Sequence, residues 1–115
     1  MKIVQQPILI ETTPEELESL CHTLYVGGSR AIAELYDMER RMERYQMEMS
    51  DRDRTEQGVR RFIELIEGRI TSHKTYIGMV AKQLKKLNEE KFEKLMKSLS
   101  ERGFDELREN IEEAI

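Results

Sequence analysis

The chain is predicted to be all-α, built on a long antiparallel helical hairpin of coiled-coil type, with two short C-terminal helices and an extended N-terminal arm. Three observations predict it. Two apolar runs step four, three, four, three on either side of one polar segment, the spacing that lays a stripe along one face of each of two helices. Charged residues make up 37% of the 115 residues and aromatics 6%, with 6 Gly, 2 Pro and no Trp; that composition suits long solvated helices rather than a sandwich or a doubly wound sheet. Capping residues stand where the periodic segments begin.

Residues 1–11 form the arm. Lys2 to Ile10 is rich in β-branched and apolar side chains, but Pro7 excludes it from a central strand. With no second strand candidate, the arm must lie on the helices or pair with another subunit.

The hairpin is expected over 12–87, with helices at about 13–49 and 57–87. Thr13 can cap, Pro14 suits the first turn, Glu15 and Glu16 favour the positive end of the dipole, and Glu16 completes a capping box. The first seam reads Leu17, Cys21, Leu24, Gly28, Ala31, Leu35, Met38, Met42, Tyr45, Met49. Gly27-Gly28 either breaks this helix or stays within it; both readings stand. Residues 50–58 carry no large apolar side chain and form the turn. The second seam reads Val59, Ile63, Ile66, Ile70, His73, Ile77, Val80, Leu84, Leu87. Folding the runs together pairs positions whose numbers sum to about 108, so Gly28 faces Val80, Leu35 faces His73 and Tyr45 faces Ile63.

Residues 88–115 supply two short helices. Asn88 caps the first, which carries Phe92, Leu95, Met96 and Leu99. Gly103 ends it, with Phe104 as the apolar partner of that stop. Asp105 is expected to cap the second, with Leu107, Ile111 and Ile115. A further stripe at Phe62, Leu65, Tyr76 and Met79 cannot be covered by the hairpin seam, so the terminal helices or a second subunit must cover it.

Charge excludes little. The net is −4, but from Arg40 to Lys86 there are 12 basic and 7 acidic side chains, and elsewhere 7 and 16. The single Cys21 precludes an internal disulfide and fits a reducing compartment. The interrupted apolar N-terminus is not a signal peptide, and no run spans a bilayer. A cytoplasmic protein with no membrane contact is expected.

No catalytic residues, metal site or cofactor are predicted. There is no glycine-rich phosphate loop, zinc-knuckle spacing or nucleophile–base–orienter set. In the hairpin register His22 and His73 lie thirteen residues apart, roughly 20 Å, and Cys21 reads as a small seam residue. Two surfaces remain. Eight of the 11 Arg fall between Arg40 and Arg69; Arg40, Arg41, Arg44, Arg52, Arg54, Arg60 and Arg61 are expected to crowd the hairpin tip. Arginine grips carboxylate or phosphate bidentately, although interleaved acids also allow a plain solvated face. Met38, Met42, Met47 and Met49 gather near the same end. The second surface is the small and polar cluster from Gly68 to Gly78. There Ser72, His73, Lys74 and Tyr76 could line a pocket for a small anionic, nucleotide-like ligand at a subunit interface, or simply allow a close helix crossing.

The function expected is therefore non-enzymatic: an adaptor, chaperone or inhibitor, acting as a homo-oligomer, dimer or larger, that presents its Arg/Met-rich tip to another protein. The alternatives are the small-ligand binder and, less favoured, nucleic-acid binding by the arginines.

Overall fold

The computed structural model describes residues 12–50 and 56–115. The expected N-terminal arm, Arg52 and Arg54 lie outside them. The described chain is all-α, with four helices in the order α1 Pro14–Glu48, α2 Gln57–Leu87, α3 Glu89–Glu101 and α4 Asp105–Ala114.

Several boundaries have a local cause. The Thr13 hydroxyl accepts from the Glu16 amide at 3.2 Å, and the Thr12 hydroxyl holds the Glu16 carboxylate. Asn88 serves two helices. Its amide donates to the Leu84 carbonyl at 2.7 Å, closing α2, while its side-chain oxygen accepts from Lys91 N–H and opens α3. Gly103, at φ +82°, ends α3 in a Schellman stop: its own amide reaches the Ser100 carbonyl and that of Phe104 reaches Leu99. One boundary differs from expectation. Asp105 does not cap α4; Phe104 occupies the cap position without a side-chain bond, and Asp105 is the first helical residue. The stop at Gly103 delivers Phe104 into the core, and burial of that ring outweighs a polar cap.

α1 runs unbroken through Gly27-Gly28. Packing, not a bend, explains the pair. A Cβ on Gly28 would sit 3.0 Å from Val80 Cγ1 and 3.1 Å from Leu95 Cδ1, and one on Gly27 would sit 2.7 Å from the Tyr76 hydroxyl. The glycines let α1 approach α2 and α3 closely.

α1 and α2 lie side by side and run in opposite directions. Gly28 meets Val80, Glu34 meets His73, and the rings of Tyr45 and Phe62 touch edge to face at 5.3 Å. α3 and α4 fold back over one face at one end. The core gathers there: Ile32, Leu35, Ile77, Ala81, Leu84, Leu95 and Leu99 are fully buried. Ile32 and Ala81 lie off the seams and are buried because α3 and α4 cover them. The other half of the long pair has no such cover, and Ile63, Ile66 and Ile70 are only half-buried. The radius of gyration is 18.4 Å, against about 13 Å for a compact domain of this length.

Candidate functional site

The polar cluster on α2 divides between two sides of the molecule. Ser72, His73 and Tyr76 line an open groove of about 470 Å³ with Gly27, Arg30, Ala31 and Glu34 of α1. Helical spacing puts residues 72 and 76 on one face with 73 beside them. The Ser72 hydroxyl donates back to the Gly68 carbonyl at 3.0 Å, so it is already satisfied within the helix. His73 is held at both ring nitrogens: Nδ1 lies 2.9 Å from the Arg69 carbonyl oxygen and Nε2 lies 3.0 Å from Glu34 Oε2. A carbonyl oxygen and a carboxylate both accept, so whichever ring nitrogen carries hydrogen has a partner to donate to. Lys74 is not in this groove. It pairs with Glu39 at 3.4 Å and borders a separate depression with Gly103, Phe104 and Leu107. The groove therefore holds one arginine, one glutamate and a histidine, without a concentration of positive charge for a phosphate.

The arginines also separate. Arg41, Arg44, Arg60 and Arg61 are exposed and form no ion pair with another described residue. Arg60 and Arg61 border a shallow depression with Gln57 and Glu64. Arg40 belongs elsewhere. Its guanidinium lies 4.7 Å from the centre of the Tyr36 ring, with Arg102 5.2 Å away. Sharing the Tyr36 ring with Arg102, at the end of α3, turns Arg40 toward the terminal helices, unlike its neighbour Arg41. Met47 is 80% exposed, whereas Met42 is buried and Met38 and Met49 are half-buried.

A third surface follows from the fold. Phe62, Leu65, Tyr76 and Met79 are 46%, 58%, 45% and 63% exposed. The terminal helices pack on the opposite side of α2, where Ile111 approaches Gly78. They leave this stripe uncovered; only Met79 borders α4, in a groove with Ile111 and Ile115.

Glu34 and Arg30 help complete the first groove, and the sequence pattern did not single them out. The pairing rule that sets Leu35 opposite His73 also puts Glu34 within reach and was the signal available. Among the described residues no three His, Cys, Asp or Glu side chains come together to hold a metal ion. No described helix is long and apolar enough to cross a membrane. Compared with known proteins, the chain matches no protein family, no curated protein and no solved structure.

Proposed function

We propose that this protein is a non-enzymatic interaction module, an adaptor, chaperone or inhibitor, that works as a helical homo-oligomer and presents the arginine-rich end of its long helix pair to another protein. One observation carries the reading. Arg41, Arg44, Arg60 and Arg61 stand exposed without an ion pair to any described residue, beside the open side chain of Met47. Four exposed guanidinium groups that no described residue pairs, next to an adaptable apolar side chain, suit an acidic protein surface with an apolar centre.

The test is photo-cross-linking in the native host from position 61, with position 93 on the far surface of α3 as control. A discrete adduct to another polypeptide is expected from 61, absent from 93 and lost in the Arg41→Glu/Arg44→Glu variant. Adducts that are equal at both positions, or that survive the charge reversal, would reject the reading.

A further inference from the structure

We propose that the uncovered stripe on α2 is the self-association surface, taken up by the same stripe of a second copy running in the opposite direction. This rests on the homo-oligomer part of the reading above and names the surface and its register.

The stripe is longer than its four apolar members. Phe62, Leu65, Arg69, Ser72, Tyr76 and Met79 are all exposed and step three, four, three, four, three. That spacing reads the same in both directions, and so does the chemistry. The two outer positions at each end are large and apolar, and the two central ones are polar. A two-fold axis between residues 70 and 71 sets Phe62 against the partner's Met79, Leu65 against the partner's Tyr76, and Arg69 against the partner's Ser72. A closed two-fold interface demands this self-complementarity, in which the contact of i with j recurs as j with i. A parallel pairing would instead set Arg69 against Arg69.

Charge selects the same occupant. Arg69 forms no ion pair with another described residue. Ser72 shares its groove with Glu34, and Glu34 uses only Oε2 on His73, leaving Oε1 open to accept. In the antiparallel register each Arg69 reaches the Ser72–Glu34 groove of the other copy, twice by symmetry. α1 lines that face with Gly27, Arg30 and Glu34, so the apolar contact belongs to α2. The face also points away from α3 and α4, which leaves room for a second long pair and a four-helix arrangement.

Single-cysteine chains test the register. Leu65→Cys and Tyr76→Cys are each made in a Cys21→Ala background, mixed, and oxidised mildly. The mixture should give a covalent dimer about tenfold faster than either chain alone. The proposed symmetry puts residue 65 roughly 16 Å from its own copy, well beyond the reach of a disulfide. Arg69→Glu should weaken self-association at least about tenfold, Arg69→Gln less, because only the first sets like charges against Glu34; circular dichroism checks that helicity is kept. Equal or faster cross-linking by Leu65→Cys alone overturns the register. A monomer mass by light scattering at about 100 µM overturns the proposal itself. Cross-linking from position 61 to another protein, read with the stripe unchanged, separates the two readings: a discrete adduct beside a monomer mass rejects self-association only, and no adduct beside an intact dimer rejects the tip reading only.

Discussion

Gly28 shows how one missing side chain sets the distance between three helices. Its α-carbon lies under Val80 and Leu95, and a methyl there enters at 3.0–3.1 Å. Gly28→Val should therefore destabilise the chain by about 2 kcal/mol in urea unfolding, the cost of overpacking a core already filled. Gly28→Ala should fall near zero, since a helix-propensity gain of about 1 kcal/mol offsets the tighter contact. Gly68 is the contrast. A Cβ there meets nothing within 4 Å, so Gly68→Ala should stabilise by about 0.5–1 kcal/mol. The pair of His73 and Glu34 is close but weakly enclosed, with the carboxylate side chain 56% exposed. A double-mutant cycle with alanine at both positions should return a coupling below about 1 kcal/mol.

The junction between α2 and α3 is the tightest local design in the chain. Asn88 closes one helix and opens the next, and Lys85 in the last turn of α2 bonds Glu89 in the first turn of α3. Asn88→Ala should cost about 1 kcal/mol through the lost cap. The hydrogen bond from Lys85 holds the Glu89 carboxyl below its ordinary range, and the same bond raises Lys85 above the usual lysine value. The sign follows. Glu89 contributes above the ordinary carboxylate range, and its contribution fades as pH falls through its lowered value; that of Lys85 is present below the ordinary lysine range and fades as pH rises through its raised one. Glu89 is exposed and Lys85 only half-buried, so solvent screens the pair and the effect on unfolding is small. The direct readout is carbon-detected NMR titration of Glu89, whose midpoint should rise in Lys85→Met.

Stability is concentrated at one end of the molecule. Leu95 is fully buried and touches the Gly28 approach, so Leu95→Ala should cost about 2–5 kcal/mol. Leu65, more than half exposed on the uncovered stripe, behaves differently under the self-association proposal. Leu65→Ala should change the unfolding of dilute protein by less than about 0.5 kcal/mol while abolishing the rise of melting temperature with protein concentration. The half of the long pair beyond α3 and α4 should exchange its amide hydrogens fastest among the described helices, because Met42 is the one buried side chain among its described residues.

The amino-acid sequence by itself determined the helical class, the helix ends at Thr13, Asn88 and Gly103, and which residues carry each long stripe. These follow from spacing and capping chemistry, which act within a few residues of one another. The pairing numbers also placed Gly28 opposite Val80. What only the tertiary structure decided were the properties that depend on a third body. The choice between a bend and a close approach at Gly27-Gly28 went to the approach because Tyr76, Val80 and Leu95 fill the space above it. Ile32 and Ala81 became core because α3 and α4 fold onto that side of the pair. Arg40 left the tip for Tyr36, and Lys74 left its neighbours for Glu39, because adjacent residues on a helix face different partners. The stripe from Phe62 to Met79 stayed open because the terminal helices are short and had one face to choose; periodicity marks a face as apolar, but not which element reaches it.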